Sequence, residues 1–384
     1  MRSVELFAGA GGLGIGLHHA GFHPQLVVEI DKYCCDTIRE NQERGVAAVE
    51  AWNLFDGDVR DYDFRALEDR VDLVSGGPPC QPFSLGGKHR AHQDRRDMFP
   101  EAIRAIRETR PQAFILENVK GLKRTSFRNY FEYIRLQLMH PEIVAAEDES
   151  WQDHLARLEQ HHLAGAEQGL GYTVLTELLN AADFGIPQRR ERVFFVGYRH
   201  DLNVTWSFPK ATHSADALAW DKDEGDYWSR HGLATRSAAK AGQRALGMDS
   251  RPSLQPWVTV RDALSDLPDP ESSPAAVEIA NHRFQPGARS YKGHTGSEFD
   301  LPAKTLKAGV HGVPGGENML RRDDESVRYF TVRESARLQT FPDDYVFHGS
   351  WSETMRQLGN AVPVDLGAVV GKSVRRALDV LQES

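Results

Sequence analysis

Cys80 is one of three cysteines in a chain of 384 residues, and its setting is unlike that of a packed thiol. The run Gly76-Gly77-Pro78-Pro79-Cys80-Gln81-Pro82-Phe83-Ser84 follows the apolar, strand-like Val71-Asp72-Leu73-Val74. Two prolines fix the backbone just before the sulfur. A thiol on a stiff turn at a strand end suits a nucleophile; the competing reading is a small hydrophobe in a βα turn. A second strand-like run, Ala113-Phe114-Ile115-Leu116-Glu117-Asn118-Val119, delivers a carboxylate at its end. Ligands of open α/β sheets bind outside the carboxyl ends of the strands, so Cys80 and Glu117 are expected in one crevice. In Gln188-Arg189-Arg190-Glu191-Arg192, which runs into a further strand, Arg190 and Arg192 share a face of an extended segment. Both are expected to aim at that crevice, whereas an isolated charge run is ordinarily a solvated turn.

The elements that must hold these groups begin at the N-terminus. Val4-Glu5-Leu6-Phe7-Ala8-Gly9-Ala10-Gly11-Gly12-Leu13-Gly14 reads as a strand, a glycine-rich turn and a helix over Leu13 to Ala20, a turn through which a backbone can approach a ligand closely. The next strand, Gln25 to Asp31, ends in carboxylates, and Glu29 suits the paired hydroxyls of a ribose. Asp58, in Gly57-Asp58-Val59, stands where an adenine amino group would be met. The three pieces predict a site for an adenosine-containing cofactor and leave NAD, FAD and S-adenosylmethionine open.

Residues 1–200 alternate strands and helices, which predicts a mostly parallel sheet covered on both faces. A polar stretch from Met139 to Gly169 reads as an exposed helix inserted near 140–169, with Leu155, Leu158 and His162 on one side. Over 201–329 proline and glycine become frequent and periodicity fades, which fits a smaller domain of short strands. Trp257 to Leu264 reads as a short strand into a helix, and Lys304 to Gly312 as a glycine-rich loop. Pro363 to Leu381 is amphipathic through Leu366, Val369, Val370, Val374, Leu378 and Leu381, and is expected to return to the first domain. The net charge of −9 argues against coating of DNA by bulk electrostatics, yet basic runs stand at Lys88 to Arg96, Lys120 to Arg128 and Arg189 to Arg192. No apolar run is long enough to span a membrane. The early first strand argues against a signal peptide, and the three cysteines form no disulfide framework, so a cytoplasmic location is expected. No histidine or cysteine spacing suggests a metal site.

The chain resembles the cytosine-C5 DNA methyltransferases, of the bacterial type that accompanies restriction endonucleases. The resemblance rests on Phe7-Ala8-Gly9-Ala10-Gly11-Gly12, Pro79-Cys80-Gln81, Glu117-Asn118-Val119, Gln188-Arg189-Arg190-Glu191-Arg192, the block Thr331 to Pro342 and Gln357-Leu358-Gly359-Asn360-Ala361-Val362-Pro363, in the family's order. It implies a Rossmann-like α/β fold of the class I S-adenosylmethionine-dependent methyltransferases, with an inserted target-recognition domain at 201–329. A hinge and C-terminal return would follow at 330–384. It implies methyl transfer from S-adenosylmethionine, with S-adenosylhomocysteine as product, to C5 of a cytosine flipped out of double-stranded DNA. Cys80 would add to C6, Glu117 would support N3, Arg192 would donate to O2 and Arg190 would brace the site. Phe7, Ala8, Gly9, Gly11, Gly12 and Leu13 would approach the cofactor. Glu29 would hold its ribose, and Ile30, Asp58 and Val59 its adenine. Pro78, Asn360, Ala361 and Val362 would close the pocket. The glycine-containing loop Leu85 to Arg96 would close over DNA.

No residue presents itself as the base for the C5 proton. Arg283, Arg289, Tyr291, Lys292, His294, Lys304, Lys307 and His311 are candidates for reading bases or holding phosphates, and the sequence does not divide them. A monomer acting on DNA is expected, with a restriction endonuclease of the same specificity as its natural companion. The nearest rival is the same chemistry on RNA, against which the inserted domain speaks. A nucleotide-dependent oxidoreductase would leave Cys80, Glu117 and Arg192 without a task, and a silent binding module would not need every catalytic position filled.

Overall fold

The computed structural model of the chain describes residues 1–79, 97–165, 169–233, 251–292, 294–308 and 318–383. Cys80, the loop to Arg96 and His311 therefore lie outside the described residues. A seven-stranded sheet forms the centre: β1 (Arg2–Leu6), β2 (His23–Glu29), β3 (Leu54–Asp56), β4 (Leu73–Gly76), β5 (Ala113–Val119), β6 (Tyr172–Asn180) and β7 (Glu191–Arg199). Their spatial order is β3-β2-β1-β4-β5-β7-β6. The first five strands are mutually parallel, and β7 runs antiparallel between β5 and β6. This is the mostly parallel α/β sheet expected. β4 and β5 are nearly unbroken apolar runs because helices cover both of their faces. The strand order reverses between β1 and β4, and the crevice there is where such sheets bind ligands.

Helices α1 (Gly12–His19), α2 (Lys32–Glu43), α3 (Phe99–Thr109) and α4 (Arg128–Met139) connect the strands. The second strand stops at Glu29 rather than Asp31. Asp31 is instead the N-cap of α2, and its carboxylate accepts from the amides of Tyr33 and Cys34 at 3.1 Å each, bonds that an extended Asp31 would leave unmade. The polar insertion contains α5 (Trp151–Leu163). Its buried residues are Leu158 and His154 rather than the sequence stripe ending at His162. His154 is held at both ring nitrogens, by the Tyr133 hydroxyl at 2.8 Å and the Ile143 carbonyl at 2.9 Å, so a polar side chain packs inward because its partners are supplied.

Beyond the sheet come α6 (Ala215–Asp223), α7 (Tyr227–Arg230), α8 (Val260–Leu264) and five short strands: β8 (His213–Ser214), β9 (Gln255–Pro256), β10 (Ser297–Glu298), β11 (Met319–Arg321) and β12 (Val327–Tyr329). The strand expected at Trp257 lies two residues earlier, because Thr259 and Asp262 form a capping box that starts α8. Val260, Leu264, Ala303, Leu306 and Leu320 share an apolar cluster with Phe330 and Leu338. α9 (Val332–Leu338) and α10 (Trp351–Asn360) follow. The last helix, α11 (Val364–Glu383), lays Leu366, Val370, Val374 and Leu378 into the same cluster as Leu13 and Leu17 of α1. The layer over β1 is thus built from both ends of the chain.

Candidate active site

One cavity of about 710 Å³ opens at the carboxyl ends of β1, β2, β4 and β5. Its first end is set by Glu29. This carboxylate is 8% exposed. It accepts from the amides of Gly9 at 2.6 Å, Ile30 at 2.9 Å and Asp31 at 2.7 Å. Burial pushes its pKa up, and the three amide bonds oppose that rise. The same bonds fix the carboxylate's orientation while leaving acceptor capacity toward the cavity. Gly12 explains one glycine of the turn: a Cβ there would stand 2.3 Å from the carbonyl oxygen of Val362. Gly11 departs from expectation, since it does not line the cavity. Its φ of +88° and the Trp52 ring, 2.9 Å from where a Cβ would be, make it a turn residue rather than a contact. The other expected cofactor residues all line the cavity: Phe7, Ala8, Gly9, Gly12, Leu13, Glu29 and Ile30, Asp58, Val59 and Pro78, and Asn360, Ala361 and Val362 from α10 and the turn after it. Asp58 caps the turn Val59–Asp61, accepting from the Arg60 amide at 3.0 Å, and Arg60 Nε lies 2.9 and 3.0 Å from its two oxygens.

At the other end stand Glu117 and Arg192. β5 and β7 pair with Val119 opposite Arg192, which brings Arg192 Nε to 2.6 Å from Glu117 Oε1. The two residues are 6% and 7% exposed. Neither atom makes a well-aimed hydrogen bond, so charge attraction holds the pair and both atoms keep unused hydrogen-bonding capacity. Burial pushes the Glu117 carboxyl above its ordinary range, against the pull of Arg192 and Arg190. Burial disfavours charge on Arg192 as well, but a guanidinium stays protonated. A Cβ on Gly77 would lie 3.1 Å from Glu117 Oε2, which puts this carboxyl against the turn leading to Cys80. Asn118 donates to the Pro78 carbonyl at 2.9 Å, and the Met98 amide to that of Pro79 at 3.0 Å, so the turn is clamped from both sides.

Arg190 corrects the expectation drawn for it. It is fully buried and does not line the cavity. Its guanidinium donates to the carbonyls of Leu306 at 2.9 Å and Gly359 at 2.7 Å. The residue is not in the regular part of β7, which begins at Glu191, so the strand alternation that should have aimed it at the crevice does not apply. Gln188 works beside it: its side chain donates to the Leu338 carbonyl at 3.1 Å and accepts from the Leu306 amide at 3.0 Å.

Asp31, Arg356 and Glu5 are among the cavity residues that escaped sequence reasoning. Asp31 and Arg356 line the cavity as a 2.9 Å ion pair between β2's end and α10. Glu5 lines it from β1, fully buried, with its pKa pushed up to about 8 by burial against the opposing bond from the Ser75 hydroxyl. A glutamate inside the apolar run Val4-Glu5-Leu6 was the signal available. Of the candidate base readers, Tyr291 and His294 form a tight turn with rings 4.3 Å apart, and Lys304 Nζ donates to Thr295 Oγ1 at 3.0 Å.

The sequence profile of the C-5 cytosine-specific DNA methylases matches residues 1–140 and 153–376. The chain belongs to the C-5 cytosine-specific DNA methylase family. It is similar to the Type II methyltransferase M.PspPI of a Psychrobacter strain, with 33% identity over 98% of this chain and 79% of that one. It is also similar to M.Eco47II of Escherichia coli, with 31% identity over 99% and 80%. M.NgoMIV of Neisseria gonorrhoeae is 29% identical over 98% and 97%. Among solved structures it resembles a mutant of Spodoptera frugiperda DNMT2, with a TM-score of 0.57 and 16% identity, and the Dnmt2 methyltransferase of S. pombe, with 0.55 and 19%. The first covers 99% of both chains, and so does the second; these two likenesses speak for the fold alone. The stretch 141–152, between the two matched segments, lies in the insertion before and at the start of α5.

The methylase transfers a methyl group to C5 of cytosine in DNA, and the donor of its family is S-adenosylmethionine. The cavity's residues suit a nucleoside-containing donor: Glu29 offers an oriented carboxylate, Ile30 and Val59 an apolar flank, and the glycine turn packs closely against Val362. Among the described residues no helix is long and apolar enough to cross a membrane.

Proposed function

We propose that this methylase modifies cytosine within one short sequence of double-stranded DNA, as the protective partner of a restriction endonuclease that cuts the same sequence. The reading is carried by one observation: the buried Glu117–Arg192 pair, with unused hydrogen-bonding atoms, shares a single cavity with Glu29. A pyrimidine edge entering there would offer Glu117 its N3 and Arg192 its O2. The Type II names of the relatives support the restriction partner. The catalytic domain would comprise 1–200 with the insertion near 140–169. The recognition domain would comprise 201–329, and the hinge and return 330–384. The enzyme would act as a monomer on DNA in the cytoplasm.

Cytosine C5 is a poor nucleophile, so a ring activation must precede transfer. The Cys80 thiolate adds to C6, and the displaced electron pair makes C5 an enamine carbon. Glu117, whose pKa burial pushes up against the pull of Arg192, donates to N3 in its acid form as negative charge develops on the ring. Arg192 donates to O2 and holds Glu117 in place. S-adenosylmethionine supplies the methyl group that C5 takes. Loss of the C5 proton to a base then restores the C5–C6 double bond and expels the Cys80 thiolate. Phe7 and the turn through Gly12 keep water from the reacting carbon, while Glu29, Asp58 and Asn360 orient the donor.

Bisulfite sequencing of a mixed duplex pool, incubated with the enzyme and S-adenosylmethionine beside a tRNA pool, tests this reading. Protection of cytosines in one short DNA motif is expected. Protection confined to RNA would overturn the choice of nucleic acid. Duplexes carrying 5-fluorocytosine in that motif should trap a covalent adduct that Cys80→Ser cannot form, because the fluorine cannot leave in the last step. A methylated motif with no adduct would overturn the thiolate mechanism.

A further inference from the structure

Resting on that DNA-methylating reading, we propose that Lys123, Arg124 and Arg128 grip the phosphates of the strand that yields the cytosine. β5 ends at Val119, which lines the cavity mouth and is 50% exposed, two residues beyond Glu117. The chain then passes through the turn Lys120–Lys123 to the start of α4. Lys120 is occupied by Glu191 at 2.7 Å. Lys123, Arg124 and Arg128 are exposed and make no ion pair with any described residue.

That isolation is local. Elsewhere on the same helix Arg135 pairs with Glu132 at 2.5 Å. On the neighbouring α3, Arg104 pairs with Glu101 at 2.7 Å and with Glu108 at 3.1 Å. In a chain of net charge −9, three neighbouring cations at the start of α4 have no ion pair with a described residue, while Arg135 further along the helix and Arg104 on α3 are paired. Lys123 is steadied by the Phe131 ring, 5.9 Å from its ammonium. Exposed Thr125, Ser126 and Asn129 add hydroxyl and amide groups suited to phosphate oxygens. Extruding a nucleotide requires its flanking backbone to be held while the base leaves the stack, and this patch lies beside the opening through which the base would pass.

Phosphate contacts are sequence-independent and release counterions, which separates them from base reading. The test compares the whole chain with Lys123→Gln/Arg124→Gln/Arg128→Gln. Binding to mixed-sequence duplex DNA is followed by fluorescence anisotropy across a salt series. The slope of log affinity against log salt should become shallower by about two to three, with affinity at moderate salt down at least about tenfold. Affinity for S-adenosylmethionine and the methylated motif should not change. Arg124→Gln alone should lower the slope by about one, which keeps the test open if the triple variant folds poorly. Lys372→Gln/Arg376→Gln, exposed cations of α11, should leave the slope as it was. An unchanged slope in the triple variant overturns the grip, as does an equal loss in the α11 variant or an altered motif. A wild-type chain that methylates no cytosine overturns the functional reading instead, and shows itself before any variant is compared.

Discussion

Glu117 stands between two opposed influences. Burial favours its neutral acid, while the guanidinium at 2.6 Å favours the carboxylate. The acid form is the one that donates to N3, and its raised pKa means that this form persists below the pKa and is lost as pH rises through it. Turnover should therefore fall on the alkaline side. Glu117→Gln, which cannot titrate, should lower kcat by about 10²–10⁴ and remove that part of the pH–rate profile. An alkaline limb that survives the substitution belongs to another group. Glu29→Ala should weaken S-adenosylmethionine binding by about ten- to a hundredfold, the loss of hydrogen bonds to a charged acceptor, measurable by titration calorimetry, with little change in DNA affinity. The meeting of Glu117 and Glu29 in one cavity was legible because each follows an apolar run, and strand ends are where such folds place chemistry. The destination of Arg190 was not, since its acceptors lie 116 and 169 positions away along the chain and no local pattern encodes them.

At the scale of elements, the crossing at Gln188 and Arg190 ties β7's entry to three distant segments. Leu306 belongs to the apolar cluster beyond the sheet, Leu338 ends α9, and Gly359 precedes the cavity residues Asn360 to Val362. A Cβ on Gly359 would meet the Ala308 amide at 2.2 Å, so these backbones are in direct contact. Arg190→Met would leave the buried carbonyls of Leu306 and Gly359 unpaired, at about 1–3 kcal/mol each. Thermal unfolding should show a clear fall in Tm, and cofactor affinity should drop with it. Arg189→Met, on the exposed neighbour, should do neither. Element boundaries misread from sequence share one cause, a side chain that took a partner. Asp31 left the strand to cap α2, Thr259 and Asp262 started α8, and His154 turned inward to Tyr133 and Ile143. Periodicity records apolar faces and is blind to such bonds.

For the molecule as a whole, the sheet class and the return of α11 were legible because both are written in long apolar patterns. The short strands beyond the sheet match the loss of periodicity over 201–329, but the apolar cluster there, which reaches Phe330 and Leu338, could not be drawn from composition. Nor could the burial of Glu5, from which a pH dependence of stability follows. Its pKa rises from an ordinary carboxyl value to about 8 in the fold. The folded state therefore holds a proton that the unfolded state has lost, and stability declines as pH rises from about 4.5 to about 8. Glu5→Gln keeps a partner for Ser75 and should flatten that decline, worth up to about 5 kcal/mol across the interval. Tm measured at several pH values checks it, and parallel curves for the two proteins would show that Glu5 does not carry the effect.

The cavity is walled by residues 7–9, 12 and 13 on one side and 359–362 on the other, with α11 clasping α1 behind them. In time as well as space, these walls are far apart: a ribosome makes the first at the outset and the second only after the sheet and the short strands beyond it have been translated. A chain halted at residue 350 would own Glu29, Cys80, Glu117 and Arg192 and still lack the far wall of its donor site. Such stalled chains should bind no S-adenosylmethionine, while the same chains extended through α11 should. The enzyme's competence would then arrive as one late event, so that a half-made copy leaves no marks on DNA.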